Sequence, residues 1–163
     1  MPGTYSYVWF CLFPLTYLAH VAEEYWAAGG YSNYLLKTYS VELSQQRFVL
    51  LQALGLFLML LGIILSATLK FPLTMIAILS SIIIGNSIIH AIRSIGVRSY
   101  TPGLITAVVL WLPLGLFSLR VVWPLTSNSR LVTALLAGVV ANWVVERISF
   151  HRPARQQQAE THQ

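Results

Sequence analysis

The sequence predicts an all-α integral membrane protein, a single bundle of about five transmembrane helices. Its 163 residues are 56% hydrophobic and only 9% charged, and the mean hydropathy is +0.69. A soluble domain typically carries about a quarter charged residues. Five apolar runs also approach or exceed the roughly 20 residues that a helix needs to cross the hydrocarbon core.

The five runs follow one another with little chain between them. The first has no basic segment before it and ends in two glutamates rather than in a cleavage site, so we expect a retained helix and not a secretory signal. Residues 29–46 form the one sizeable loop, which we expect to lie on the cytoplasmic membrane surface as a short lid. The runs cover residues 5–28, 48–69, 72–92, 103–123 and 131–148.

Turn residues place the remaining boundaries. Pro72 starts the third run, because proline suits the first turn of a helix, and Thr101 is the expected N-cap of the fourth. Pro113 predicts a kink inside the fourth run. We therefore predict one transmembrane domain over residues 1–148 and a disordered polar tail over residues 149–163.

Loop charges predict the orientation of the bundle. With five spans, seven of the ten basic residues fall on the side of the C-terminus and three on the side of the N-terminus. Because Lys and Arg are enriched in cytoplasmic loops, we expect a multi-pass protein of a bacterial plasma membrane with a cytoplasmic C-terminus. The net charge of +5 then reflects topology and contact with membrane lipids. No nucleic-acid partner is expected, since the basic residues form no groove.

Ionisable residues near the end of the first run mark a candidate site. His20 and Glu24 are one helical turn apart, and Glu23 lies between them on nearly the same face. The whole chain has only five acidic residues, and such groups are rarely kept in a membrane span without a function. We therefore expect these three side chains to converge on one point.

Two further runs bring polar side chains to the same depth. The third carries Asn86, His90 and Arg93 at spacings of four and three, and the fifth carries Asn142 and Glu146 one turn apart. At 1.5 Å per residue, the ionisable groups of all three runs lie about 22 to 27 Å from the starts of their runs. The sequence therefore predicts a shared site in the cytoplasmic third of the bilayer. The fourth run begins at this level, and its free amides would favour an anion or an oxyanion there.

Three short motifs follow one another along the chain: His20-x-x-Glu23-Glu24, Asn86-x-x-x-His90 and Tyr100-x-Pro102-Gly103. In this order they resemble the motifs of a known family of small integral membrane proteins, the HXXEE-domain proteins. The resemblance implies a multi-helix membrane protein suspected of enzymatic activity. The chain is also similar, more loosely, to intramembrane metal-dependent CAAX-type proteases, although no EExxxR arrangement begins at its double glutamate.

These groups favour a metal-dependent hydrolase that acts on a lipid-like or membrane-embedded substrate. Two ligands four residues apart on a helix, with a glutamate beside them as general base, is how helical zinc sites are built. The metal ligands would be His20, Glu24 and His90, with zinc preferred and iron as the alternative ion. The catalytic candidates are Glu23 as general base, Asn86 and Glu146 as orienting groups and Arg93 as an anion clamp; the substrate-binding candidates are Tyr100, Thr101 and Asn142.

Other hypotheses stay open. A di-iron site of the ferritin type needs a Glu-x-x-His pair on two helices, whereas Ser87 stands three residues before His90. A metal-free isomerase or cyclase of an isoprenoid or other lipid would use the carboxyl and imidazole groups as acid and base, with Trp26, Trp143 and Tyr100 stabilising a cation. A proton-coupled transporter would need polar residues through the full depth of the bundle, and its outer half offers few.

Overall fold

The computed structural model describes residues 3–150, with side chains described from Trp9 onward. Within that range the chain forms six main helices and no strand, which confirms the all-α prediction. The predicted tail lies outside the described residues from position 151 onward, and Ser149 is still the last residue of a helix. The helices are α1 (Gly3–Trp26), α2 (Tyr31–Tyr39), α3 (Gln45–Thr68), α4 (Pro72–Val97), α5 (Leu104–Leu125) and α6 (Asn128–Ser149).

The long helices match the five predicted runs. Helices α3 to α6 are each long and apolar enough to cross a bilayer. Helix α1 has 24 residues, which corresponds to about 36 Å and exceeds a hydrocarbon core of about 30 Å. The chain is therefore a multi-pass membrane protein whose helices form a bundle.

Helix α4 is the centre of the bundle, with its most extensive packing against α5 and α6. Close approach to α6 depends on Gly138, because a Cβ there would lie 2.9 Å from the backbone carbonyl carbon of Ser81. At the same contact the Ser81 hydroxyl donates to the Leu135 carbonyl at 3.0 Å. Small residues and interhelical hydrogen bonds of this kind hold membrane helices together where the hydrophobic effect cannot.

Helix α5 adapts to Pro113, the predicted kink, with a π-helical turn over Ala107–Trp111. In this turn the Leu112 amide donates to the Ala107 carbonyl, and the Ser87 hydroxyl of α4 donates to the same oxygen at 2.9 Å. The π-helical turn and the Ser87 hydroxyl thus give the Ala107 carbonyl two hydrogen bonds that differ from the usual bond of an α-helix. Single π-turns of this kind occur frequently at functional sites.

The predicted lid contains helix α2, which packs on the end of the bundle. The chain enters it through Ala28, Gly29 and Gly30, all with positive φ, and leaves it through Ser40 with φ 54°. Three side chains of α2 are buried in an apolar cluster that also holds Phe48 of α3. They are Tyr31, Tyr34 and Leu35. This short helix therefore covers the end of the bundle where the predicted site lies.

Candidate metal centre

Three buried side chains from two helices meet beneath α2. His20 and Glu24 of α1 and His90 of α4 are 2%, 4% and 2% exposed. Glu24 Oε1 lies 3.6 Å from His20 Nε2 and 3.4 Å from His90 Nε2. The two imidazole rings are edge to face with centroids 5.0 Å apart. We call these three residues the His/Glu cluster.

The spacing of the His/Glu cluster fits a metal ion. One ligand atom from each residue lies within 4.8 Å of the other two. In a tetrahedral zinc site with bonds of 2.0 to 2.1 Å, neighbouring ligand atoms are about 3.3 to 3.4 Å apart, close to the two distances from Glu24. Two imidazoles and one carboxylate are also a donor set of catalytic zinc sites, which keep a fourth position for water.

Hydrogen bonds orient the His20 ring toward the cluster. His20 Nδ1 lies 2.8 Å from Thr106 Oγ1, and the Thr106 hydroxyl donates to the Gly103 carbonyl at 3.3 Å. When the Thr106 hydroxyl donates to the Gly103 carbonyl, its oxygen accepts a hydrogen bond from Nδ1, and the Nε2 lone pair of His20 then faces Glu24. Trp111 of the π-helical turn stacks on the ring with centroids 3.8 Å apart.

The Glu24 carboxylate is held by α3. Gln52 Nε2 donates to Glu24 Oε2 at 2.8 Å, and the Tyr17 hydroxyl donates to Gln52 Oε1 at 2.6 Å. One carboxylate oxygen is thus fixed by the amide, while the other faces both histidines. Supporting contacts of this kind orient the ligands of metal sites.

Two imidazole nitrogens of the His/Glu cluster have no hydrogen-bond partner among the described residues. They are His20 Nε2 and His90 Nδ1, and both atoms are buried. Buried polar atoms without a partner are rare and need a ligand, an ion or a water molecule to explain them. The unpartnered Nε2 of His20 is one of the atoms that a metal ion would bind.

The structure places Glu23 away from the His/Glu cluster, at the first turn of α5. Its carboxylate accepts hydrogen bonds from the amides of Ile105 and Thr106 at 3.0 and 2.7 Å and from the Tyr100 hydroxyl. Burial and the neighbouring carboxylate raise the pKa of Tyr100, so the phenol stays protonated and donates. The amides that were expected to favour an anionic ligand are therefore occupied by Glu23, and this arrangement does not support its predicted role as general base.

Arg93 is likewise occupied by neighbours within the protein. Its guanidinium donates to the Tyr31 hydroxyl and to the Glu146 carboxylate, and it lies 5.0 Å from the Phe150 ring. Burial raises the pKa of the Tyr31 phenol, and the Tyr31 ring centroid is 6.3 Å from that of His90. Arg93 and Glu146 thus connect α2, α4 and α6 beside the cluster rather than presenting an anion clamp or an orienting carboxylate.

The two asparagines of the predicted site, Asn86 as an orienting group and Asn142 as a substrate contact, lie deeper in the bundle. Asn142 donates to the carbonyls of Ile82 and Gly138, both at 3.0 Å, and so joins α6 to α4. The Asn86 side-chain oxygen is buried without a hydrogen-bond partner in the described part of the chain. Within that part, no hydrogen bond connects either asparagine to the His/Glu cluster.

Thr101 is not the N-cap of the fourth transmembrane helix, contrary to the prediction. Gly103 occupies that position with φ 92°, and the first free amides bond Glu23 instead of a threonine hydroxyl. The Thr101 side chain is fully buried and its hydroxyl lies 3.5 Å from that of Tyr34. Tyr100 also donates its proton inside the protein, to the Glu23 carboxylate, so the hydroxyls of both predicted substrate contacts lie against protein side chains.

Sequence reasoning missed the residues that support the ligands. Gln52 stands out as an amide inside an apolar run, seven residues after the start of α3, and its depth could have identified it. Thr106 and Trp111 had no such signal, because neither places an ionisable or amide group in an apolar run. Their roles follow from the rotation of α5 and from its π-helical turn.

The family model described as a protein of unknown function with HXXEE motif matches residues 11–118. This range includes all of the His/Glu cluster and its supporting residues, whereas Asn142 and Glu146 lie beyond it. No curated protein and no solved structure matches the chain. The matched range covers most of the sequence, so the chain belongs to the family of HXXEE-motif proteins.

Proposed function

We propose that this protein is a membrane-embedded, metal-dependent hydrolase that acts on a lipid-like substrate. One observation carries the proposal: two imidazoles and a carboxylate, all buried, meet with Nε2 to Oε1 distances of 3.4 and 3.6 Å. Buried ionisable groups in membrane helices usually belong to functional sites. The supported orientation of His20 and Glu24 fits ligands that are fixed before the ion binds.

Zinc is the preferred ion, and iron is the alternative. Three protein ligands would leave the fourth position of a tetrahedral zinc ion for water, whose pKa falls to about 7 when it is bound. A bound metal would supply an acidified water as nucleophile without a separate general base, so the contacts of Glu23 with the start of α5 are compatible with hydrolysis. Hydrolysis of an ester or amide consumes one water and yields an acid and an alcohol or amine, without any redox partner.

Metal analysis of the purified protein tests this proposal. We expect about one zinc ion per chain in the wild type, and loss of most of it in His20→Ala and in His90→Ala, because each variant removes one of three ligands. The measurement is metal content by mass spectrometry, with hydrolysis of acyl lipids assayed before and after chelation. His151→Ala is the matched control, since it removes a histidine from the predicted polar tail and none of the three proposed ligands, and it should retain zinc.

Three results would count against the metal-dependent hydrolase. A wild-type protein that is pure, folded and metal-free after growth with added zinc would contradict the proposal. So would zinc that stays bound in both histidine variants. Chelation that leaves hydrolysis intact would separate the enzyme activity from the metal.

A metal-free acid–base isomerase or cyclase is the second candidate, favoured by the contact of Glu24 with two imidazoles in a buried site. These three groups would hold and transfer one proton. Two of the aromatic residues predicted to stabilise a cationic intermediate are largely exposed, Trp26 at 73% and Trp143 at 56%. Trp111 and Tyr31 would take that role, since both rings adjoin a histidine. Metal-independent activity that disappears in Glu24→Gln would support this candidate over hydrolysis.

The proposal also includes an orientation. The His/Glu cluster lies at the end of the bundle that holds α2 and the C-terminal end of α6. Seven of the ten basic residues belong to this end in the five-span arrangement. We therefore place the centre near the cytoplasmic leaflet of the plasma membrane, where lipids would be both its surroundings and its substrates.

A further inference from the structure

Gln52 meets the Glu24 carboxylate from a neighbouring helix and contacts one of its two oxygens. The amide nitrogen donates to Glu24 Oε2 at 2.8 Å, whereas Oε1 faces Nε2 of His20 and of His90 at 3.6 and 3.4 Å. The two oxygens of the carboxylate therefore have different surroundings. One is held by α3, and the other lies where an ion would meet both imidazoles.

Tyr17 fixes the direction of the Gln52 amide. Its hydroxyl donates to Gln52 Oε1 at 2.6 Å and lies 3.0 Å from the Gln52 backbone carbonyl oxygen. An ionised carboxylate can only accept hydrogen bonds, so the amide must present its N–H groups to Glu24 and its oxygen to the tyrosine. Each of these three groups sets the orientation of the next, and the result is a Glu24 carboxylate with one oxygen already engaged.

Helix α3 makes room for this tyrosine. Gly55 stands three residues after Gln52, and a Cβ at position 55 would lie 2.5 Å from the Tyr17 hydroxyl oxygen. The Tyr17 ring also lies beside that of Trp111 with centroids 6.1 Å apart, and Trp111 stacks on His20 at 3.8 Å. The support of the carboxylate is thereby connected to that of an imidazole in the same cluster.

The number of carboxylate oxygens that a site offers influences which ion it favours. Zinc takes four ligands in a tetrahedral arrangement, for which three protein atoms and one water are sufficient. Mn²⁺ and Mg²⁺ prefer six oxygen ligands, and a larger ion such as Ca²⁺ can take both oxygens of one carboxylate. A carboxylate with one oxygen held by an amide offers such ions fewer ligands, while the zinc arrangement stays complete.

We propose that Gln52, oriented by Tyr17, is the positioning residue that makes Glu24 a one-oxygen ligand and thereby strengthens the preference of this centre for zinc over Mn²⁺. This inference rests on the proposed metal-dependent function and adds the residues that select the ion. Gln52 acts through Glu24. Without its amide, zinc loses a ligand that was held in place, and Mn²⁺ gains access to the second oxygen.

The ratio of two dissociation constants tests the inference. Purified protein in detergent is stripped of metal and titrated with Zn²⁺ and with Mn²⁺ in competition with a chelating dye. Gln52→Met keeps the length of the side chain without the amide. We expect this variant to lower the ratio of the Mn²⁺ Kd to the Zn²⁺ Kd at least about tenfold, since the loss of a supporting contact costs a metal site about 10- to 100-fold in affinity.

Gln46→Met is the matched control, at an exposed position in the first turn of the same helix, and should keep the wild-type ratio. A general loss of structure would weaken the binding of both ions, so the ratio responds to selectivity rather than to stability. An unchanged ratio in Gln52→Met overturns the inference.

Cobalt gives an independent readout of the number of ligands. Co²⁺ can replace zinc in four-coordinate sites, and its visible absorption weakens when the coordination number rises. We expect the Co²⁺-loaded Gln52→Met protein to absorb more weakly per bound ion than the wild type, with Gln46→Met unchanged. Equal spectra in all three proteins would mean that Glu24 binds in the same way without the amide, and they would overturn the inference.

Gly55→Ala tests the role of Tyr17. Its methyl group displaces the Tyr17 hydroxyl, which is the end of a side chain that can move, and alanine favours a helix over glycine. We expect the Kd ratio to fall at least about threefold. Gly62→Ala is the control on the same helix, because its methyl group meets the end of the Met75 side chain instead, and it should keep the ratio. A wild-type ratio in Gly55→Ala overturns the role of Tyr17.

Metal content separates the two levels of failure. A protein that binds zinc, loses it in His90→Ala and keeps its Kd ratio in Gln52→Met overturns only the role of Gln52. A protein that binds neither Zn²⁺ nor Mn²⁺ overturns the proposed function and the inference together.

Discussion

Gly103 is the residue on which the geometry of the His/Glu cluster depends most directly. Its φ of 92° is a conformation that L side chains rarely adopt. A Cβ built at this position would lie 2.8 Å from Cε1 of His20, 2.8 Å from Cε1 of His90 and 2.9 Å from Cγ of Glu24. The glycine therefore lets the turn before α5 lie directly against all three candidate ligands.

Replacing Gly103 with alanine should disrupt the cluster. The left-handed backbone costs a non-glycine residue about 1 to 2 kcal/mol, and the added methyl group must displace side chains that are buried on every other side. We expect zinc affinity to fall at least about tenfold in Gly103→Ala, with a lower unfolding temperature. Competition with a coloured chelator measures the affinity, and thermal unfolding in detergent measures the stability.

Gly96→Ala provides the control, because no atom lies within 4 Å of a Cβ at that exposed helical position. It should keep the wild-type zinc affinity and match or exceed the wild-type unfolding temperature, since alanine favours a helix over glycine. Wild-type zinc binding in Gly103→Ala would show that the cluster is not held by this contact.

Gln52 and Thr106 show what the sequence alone leaves out at the residue scale. The spacing of His20, Glu24 and His90, with their similar depth, was sufficient to predict a shared site. The hydrogen bonds to their outer atoms depend on which neighbour faces them, and that depends on side-chain directions in α3 and α5. Supporting groups of this kind are common in metal sites but have no fixed sequence spacing.

At the scale of elements, the adjacent glutamates of α1 show how helix rotation separates two roles. Successive residues on an α-helix point about 100° apart. Glu24 consequently faces α3 and α4 at the cluster, whereas Glu23 faces the first amides of α5. The sequence predicted that both would be functional, but the rotation of α1 is set by packing. For the same reason the sequence could not show that Glu23, and not Thr101, accepts hydrogen bonds from the first amides of α5.

The boundaries of the long helices were more predictable than their contacts. Runs of apolar residues locate a membrane span directly, because the bilayer fixes its length. Helix α2 gave a weaker signal, since it is short and buries three side chains on one face. Its position comes from long-range contacts: Tyr31 with Arg93 and Tyr39 with Phe150, whose rings are 5.6 Å apart.

Arg93 should control how firmly α2 is held on the bundle. In Arg93→Gln the Tyr31 hydroxyl loses its donor and Glu146 loses its cation, although that carboxylate is 30% exposed and water offsets part of the loss. We expect amide hydrogen exchange in α2 to speed up at least about tenfold, because local opening follows the loss of docking contacts. Exchange measured by mass spectrometry on peptides from 29–44 reports this change.

Arg120→Gln is the matched control for α2 docking. Arg120 is exposed in the last part of α5, at the opposite end of the bundle from α2, so this variant should leave exchange in α2 unchanged. The double variant Arg93→Gln with Glu146→Gln removes both charges and should recover part of the protection. Slow exchange in Arg93→Gln would mean that the apolar contacts of Tyr31, Tyr34 and Leu35 are sufficient by themselves.

At the scale of the whole molecule, charge and apolar surface divide the protein into two ends. The apolar sides of α3 and α6 are widely exposed, with Leu50 at 68% and Val139 at 65%, as expected for helices that face lipid. Several of the described ionisable groups with hydrogen-bond partners lie at the α2 end, among them Glu23, Glu24, Arg93 and Glu146. Because the site lies at one end of the bundle, the bundle must have a fixed orientation in the membrane for the site to lie at the same leaflet in every molecule.

Cysteine labelling should show that the α2 end faces the cytoplasm. The chain has one cysteine, Cys11, so Cys11→Ala supplies a cysteine-free background for Thr38→Cys in α2 and Ser129→Cys in the first turn of α6, both at exposed positions. In intact cells a membrane-impermeant maleimide should label position 129 and leave position 38 unlabelled, because the excess of basic residues holds the α2 end inside. After permeabilisation both positions should react, which confirms that each thiol is accessible. Labelling of position 38 alone in intact cells would reverse the orientation and place the His/Glu cluster near the outer leaflet.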